Sequence, residues 1–392
     1  MKTGKIIMGV SVAVFFLVIL FPLWGWLFPQ PNFDSLDEKR SLTELDQTGP
    51  IKKRIENAEA YLNDHLAFRN AAIFAVLRAD LLLGESPSEQ VLAGSDGWLF
   101  YVEGEEDFRR GTGLTEEQIK EFYDVHQQLT DHFASLGIDY RVMIAPDKHS
   151  IYPQYLPLTR RLGSGPWELK QLMTPPGPNY TVRMIDVSDA LLNAAATGVD
   201  QYYKTDSHWN WEGGWTAYQV IMDQLMPDHP NMRRLTEEDI NRSDIAPSGD
   251  LAALIGQQGI IVDHTSMLTP KVYNCSHSSD GNALIVESYR NDEYKDGPKV
   301  LFIGDSFRTA MLPFLAESVS ELDVIMNDSP SLAAIEDLSH YDIIIFEAVE
   351  RNRFWLWGGI SGVSGGGEEE YDEGEYEGEY EGEYEGEYEG ES

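Results

Sequence analysis

Ser306, His208 and Asp206 have the side chains and local settings for nucleophilic chemistry on an acyl group. Ser306 lies in KVLFIGDSF (299–307), an apolar run that ends in Gly304-Asp305-Ser306 and leads into a stretch with helical character, 307–317. In open α/β sheets, ligands gather beyond the carboxyl ends of strands, and this serine falls there. Gly304 suits a tight turn and a close backbone approach, while amide hydrogens at a helix start can hold a developing oxyanion. The same residues also serve turns, so Asp305 or Ser306 as a helix cap explains them as well.

Asp206 and His208 stand one residue apart in YYKTDSHWNW, just before a helical pattern carrying Trp215, Tyr218, Ile221, Met222 and Leu225. In extended chain, positions i and i+2 share a side, so carboxylate and imidazole can project together. A serine hydroxyl becomes nucleophilic when an imidazole takes its proton, and a carboxylate on that imidazole fixes the tautomer and stabilises the cation. His208 packed among Trp209 and Trp211 is the plainer alternative. Nine histidines occur, yet there is no His-Glu-x-x-His or His-x-His, and Cys275 is the only cysteine. No metal site is expected on that basis. No phosphate loop or dinucleotide fingerprint is present either, so no cofactor is expected.

Such residues need a scaffold. YRVMIAP (140–146), TVRMIDV (181–187), KVLFIG (299–304), LDVIMN (322–327) and YDIIIFE (341–347) are short apolar runs rich in β-branched residues, separated by stretches able to hold helices. They predict an α/β fold, a parallel sheet flanked by helices. Thr115, with Gln118 three residues on, predicts the start of a helix over 114–136. Asp-Gly within VLAGSDGWLFY (91–101) predicts a hairpin turn, and residues 227–298 read as a loop-rich insertion.

Residues 6–28 form 23 positions without a charge, preceded by Lys2 and Lys5. That length covers a bilayer core, and the leading lysines favour an N-in orientation, so the bulk of the chain is expected on the extracytoplasmic side. A cleaved signal peptide is the competing reading, but no small-x-small site follows, and Trp24 and Trp26 suit an interfacial belt. The expected layout is a transmembrane signal anchor (1–28), a stalk and amphipathic helical neck (29–90), a catalytic domain (91–357) and a disordered acidic tail (358–392). Asp64 and His65 fall in the neck and suit helix packing or docking.

The 392 residues carry 66 Asp and Glu against 29 Lys and Arg, a net charge of −37. Such a chain repels phosphate backbones, which argues against nucleic-acid binding. Part of the charge is local to the Glu-Gly-Glu-Tyr repeats after residue 367, but the remainder is still strongly acidic.

LNDHLAFRN (62–70), DGWLFY (96–101), APDKHSIYPQYLP (145–157), TDSHW (205–209) and GDSF (304–307), in this order within about 35–352, resemble the extracytoplasmic SGNH-hydrolase-like proteins of the alginate O-acetyltransferase group. As in that group, the Asp-x-His pair precedes the serine. The resemblance implies a flavodoxin-like SGNH-hydrolase-like domain and acetyl transfer to exopolysaccharide hydroxyls through an acetyl-serine intermediate. It also implies a multispanning membrane O-acyltransferase as acetyl donor. Ser306, His208 and Asp206 would take the triad roles. Lys148 could face the cleft or form an ion pair, and Glu350 and Arg351 would be ion-pairing supports. Trp209, with Trp211 and Trp215, could stack on sugar or line a core. A carbohydrate acetylesterase and a non-catalytic polysaccharide-binding scaffold are the rival functions.

Overall fold

The computed structural model describes residues 43–46, 48–65, 88–102, 113–157, 167–279, 285–326, 332–335 and 337–360, with a few isolated positions besides. The expected span at 6–28, apart from Phe16, and the tail beyond residue 360 lie outside the described residues. Among the described residues no helix is long and apolar enough to cross a membrane.

Eleven strands are described: β1 (Val91–Ala93), β2 (Leu99–Tyr101), β3 (Asp139–Ala145), β4 (Met184–Ile185), β5 (Ile240–Ile245), β6 (Thr265–Pro270), β7 (Cys275–Ser278), β8 (Ile285–Asn291), β9 (Lys299–Gly304), β10 (Glu321–Met326) and β11 (Ile343–Val349). Seven of them form one sheet in the order β4-β3-β11-β9-β10-β8-β7. From β4 to β10 every pairing is parallel, whereas β8 runs antiparallel to β10, and β7 to β8. The sheet is therefore mixed, which corrects the expectation of a parallel one. The two extra strands come from the stretch read as loop-rich. So does the β5–β6 ribbon, whose INRSDI strand leaves its middle four residues exposed and thus lacks an apolar signature.

The central strands are predominantly apolar because both faces are covered, with Arg141, Asp323 and Glu347 as buried ionisable exceptions. Val300 and Phe302 of β9, with Ile343 and Ile345 of β11, pack under the helices Ser188–Ala196, Trp211–Leu225 and Leu312–Ser318. Leu301 and Ile303, with Ile344 and Phe346, face the other way onto the helices Glu116–Ser135 and Phe354–Gly358. Thr115 opens Glu116–Ser135 with the expected reciprocal cap: its hydroxyl accepts from the Gln118 N–H at 3.2 Å, and the Gln118 side chain accepts from the Thr115 N–H at 2.9 Å. The β1–β2 hairpin turns through Asp96 and Gly97, both at positive φ (57° and 81°). In the neck, helix Ile51–Asp64 buries none of its residues, and Ile51, Ile55 and Leu62 are exposed. Asp64 accepts from the Thr43 N–H at 2.9 Å, and the His65 ring stacks on Tyr61.

Candidate active site

Ser306 stands immediately beyond β9, at the start of a 3-10 turn, Ser306–Ala310, and its side chain is exposed. The expected continuous helix over 307–317 is broken here. The turn gives way to a helix only at Leu312, with Pro313 in its first turn, where proline is tolerated. Asp305 is the cap: one carboxylate oxygen accepts from the Phe307 N–H at 2.9 Å, the other from the Val349 N–H at 2.8 Å, tying the serine turn to the end of neighbouring β11. The Asp305 N–H donates to Glu347 at 3.0 Å. Burial, reinforced by the Asp305 charge, pushes the Glu347 carboxyl well above its ordinary range. A β-carbon on Gly304 would come within 2.6 Å of Glu347 Oε2 and 2.5 Å of the Phe302 ring, so glycine is demanded there by packing.

Asp206 and His208 lie in a loop closed by an isolated antiparallel bridge between Tyr202 and Trp209. What joins the two side chains is an Asx-type turn, in place of the strand alternation expected from their spacing. Asp206 Oδ1 accepts from the His208 backbone N–H at 2.9 Å and from Nδ1 at 2.6 Å. Nδ1 thereby keeps the proton, and Nε2 accepts from Ser306 Oγ at 2.6 Å. The three residues, 98 positions apart at the extremes of the pair His208–Ser306, form one continuous relay. Burial disfavours a charged His208, yet the Asp206 charge and hydrogen bond, with a smaller contribution from Asp250, outweigh it and raise the imidazole pKa. Burial likewise opposes the Asp206 carboxylate, but His208 and the donors around it hold its pKa well below the usual range.

The loop is held from the insertion at 227–298, whose part in the site is not legible in the sequence. Asp263 accepts from the N–H groups of Lys204 (2.7 Å) and Thr205 (3.1 Å). Asp250 accepts from the Ser207 N–H at 2.7 Å and from its hydroxyl, and the Asp250 N–H donates to Asp206 Oδ2 at 3.1 Å. Gly249 packs so tightly that a β-carbon would sit 2.3 Å from that of Asp206. The one signal that could have found these residues is Ser-Gly-Asp (248–250) before an apolar pair, an ordinary helix start.

Lys148 lines the cleft, but its ammonium is turned onto the loop: Nζ donates to the backbone carbonyls of Tyr203 (2.9 Å), Lys204 (3.3 Å) and Asp206 (2.5 Å). The alternative of an ion pair is thus replaced by a carbonyl cage. Trp209 is 1% exposed, packs on Phe307 and donates from Nε1 to the Phe307 carbonyl at 2.7 Å. Its expected role in substrate binding is corrected by that burial, which leaves no ring face for a sugar. Trp215 is equally a core residue at 6% exposure, its indole N–H bonded to Glu237.

Arg351 pairs with Asp147 as expected of a support, and its guanidinium stands 5.4 Å from the Phe307 ring centre. Among the described residues Glu350 makes no ion pair; it accepts from the Asp147 N–H (3.0 Å), Ser150 (2.8 Å) and the Trp167 indole (2.6 Å). Burial, with the Asp147 charge, pushes its pKa up to about 7. Phe100, Tyr101, Asp147, Lys148, His149, Ser207 and Arg351 line the cleft beside the relay. Asp147, His149 and Glu350, and again Asp206, His208 and Asp250, bring metal-ligand atom types within 4.8 Å of one another. Asp147 is taken by Arg351, Glu350 by three protein donors, and Asp206 by His208, so each set is already engaged within the protein.

A mixed, doubly covered sheet with a serine at the carboxyl end of a central strand is the SGNH-hydrolase-like arrangement. Residues 91–326 match the family described as SGNH hydrolase-like domain, acetyltransferase AlgX, and the chain belongs to that family. No curated protein matches the chain. Among solved structures, Bacillus cereus PatB1 superposes with a TM-score of 0.51 at 16% identity, over 67% of this chain and 96% of that one. PatB1 with a sulfonyl adduct gives 0.50 over the same shares. These likenesses are of fold. The O-acetyltransferase domain of Pseudomonas putida AlgJ is similar at 17% identity over 69% of this chain and 93% of that one, with a TM-score of 0.45.

Proposed function

We propose that this protein is a membrane-anchored, extracytoplasmic O-acetyltransferase that acetylates hydroxyls of an exopolysaccharide or cell-surface polysaccharide. The observation that carries the reading is the Ser306–His208–Asp206 relay, with both of its links at 2.6 Å, in a chain of an acetyltransferase family. Ser306 Oγ attacks the donor's acetyl carbonyl while His208 Nε2 takes the hydroxyl proton. The tetrahedral intermediate collapses to acetyl-Ser306, and the leaving alcohol departs with that proton. A sugar hydroxyl then attacks the acetyl group, loses its proton to His208, and the proton returns to Ser306 as the ester forms on the sugar. Asp206 keeps the imidazole in the required tautomer and stabilises its cation. The Ser306 N–H is assigned as an oxyanion donor.

The apolar stretch 6–28 supports an anchor, which would keep the site beside a multispanning membrane O-acyltransferase able to deliver acetyl groups from within. The test is purified protein with an aryl acetate and an oligosaccharide acceptor, followed by mass spectrometry, beside Ser306→Ala. Acetylated sugar formed by the parent and lost in the variant supports the reading. Steady acetate release with no acetylated sugar would instead identify an acetylesterase, and polysaccharide acetylation in cells untouched by Ser306→Ala would identify a scaffold.

A further inference from the structure

We propose that Asp250 is a positioning residue for His208: a second carboxylate that fixes the turn carrying the imidazole and faces its Nδ1 side together with Asp206. The inference rests on the proposed function in assigning His208 as the base. Asp250 begins the short helix Asp250–Leu254, in a segment remote in sequence from both Asp206 and Ser306. It grips the 205–208 turn in two ways. Its backbone N–H donates to Asp206 Oδ2 at 3.1 Å, leaving Oδ1 for the imidazole. Its carboxylate takes both the N–H and the hydroxyl of Ser207, the residue between the two site members.

The same carboxylate lies 3.8 Å from His208 Nδ1, and the Ser207 hydroxyl that donates to it is 3.4 Å from that nitrogen. Asp206 alone makes the direct 2.6 Å bond. Asp250 therefore acts at one remove, through Ser207 and through its charge. Two carboxylates so close cannot both be comfortable, and burial with the Asp206 charge raises the Asp250 pKa. The charged groups facing this cluster from other elements are Lys148, whose ammonium bonds the Asp206 carbonyl, and Arg351, which opposes the imidazolium. A helix packed on the loop has no mechanical need for a charged side chain here. A polar cap for Ser207 would suffice, and this difference separates positioning from scaffolding.

The experiment uses the whole chain with Asp250→Asn, which keeps the shape and an acceptor for the Ser207 N–H while removing the charge. His208 is titrated by NMR on histidine-labelled protein, assigned with His208→Gln, and Ser306 is reacted with a sulfonyl fluoride across pH. The expected result is an imidazole that titrates at lower pH than in the parent, an acid limb of Ser306 modification displaced the same way, and kcat/KM on an aryl acetate down about tenfold with KM within about twofold. Asp250→Ser, compatible with a helix start, gives the same reading if the asparagine variant folds poorly. An unchanged titration and unchanged modification rate in a folded variant overturn the inference. Failure of the parent itself to label at Ser306 would instead sink the proposed function, while the titration still decides the role of Asp250.

Discussion

Replacing Lys148 by methionine removes an ammonium but keeps an unbranched chain of similar length, so it isolates what the amine holds. Lys148 is 3% exposed, with its Nζ against three carbonyls of the 203–206 loop and 5.6–5.8 Å from the Phe100 and Trp98 ring centres. The charge is not itself a net gain. Burial pulls the lysine pKa down to about 8 despite the attraction of Asp206, Asp250 and Asp263. What the variant loses is therefore donors, at about 1 kcal/mol per bond, with the 3.3 Å bond counting least, or about 2–3 kcal/mol in all. The larger effect falls on the site, because the loop freed is the one that aims Asp206 at His208. A displacement of about 1 Å there lowers kcat/KM about 100-fold. Urea unfolding and aryl acetate kinetics measure the two quantities. Because the folded pKa lies below the unfolded value, the folded protein binds fewer protons between about pH 8 and 10.5, so this group's contribution rises with pH across that window, and the rise disappears in Lys148→Met. A variant with stability within about 0.5 kcal/mol of the parent and a rate within about twofold would refute the cage.

The acid limb of the pH–rate profile lies above pH 6.5, since His208 must be neutral to act and its pKa is raised; Asp206→Asn moves that limb down and lowers the plateau by about 10³–10⁴. In thermal melts the His208 contribution is full below the unfolded pKa and fades as pH climbs through the raised folded value, a slope that Asp206→Asn flattens. Gly214→Ala puts a β-carbon 2.5 Å from the Ala310 β-carbon and 2.6 Å from its carbonyl oxygen, so despite better helix propensity it costs about 1–3 kcal/mol and shifts the Ser306 turn, read as a lower Tm together with a lower kcat. Trp209→Phe strands the Phe307 carbonyl and costs about 1–3 kcal/mol, with affinity for oligosaccharides unchanged in a binding titration.

The core strands were readable because burial on both faces leaves them predominantly apolar, as in IIIFEAV of β11, where Glu347 alone interrupts the run. Strands β5 to β8 were not: INRSDI and CSHS lie on rims where side chains meet water and no apolar period develops, and IVESYRN of β8, though paired on both sides, is only half-buried along most of its length. The relay was legible for a different reason: Ser306 follows the strongest strand signal, and Asp206 and His208 are close in sequence. Asp250 and Asp263 act through backbone N–H groups of a loop more than forty residues away, a relation that leaves no local pattern. Trp209 misled because an indole flanked by polar residues reads as a surface platform, when its N–H is in fact consumed by a carbonyl within the core.

Ser306 stands on an open rim, its oxygen exposed where β9 gives out. On the proposed reading, a long polymer can lie across such a ledge at any point and need not thread a terminus into it. Ester groups would then be scattered through the interior of the chain, at intervals set by how often it lands and departs, with no counting from either end.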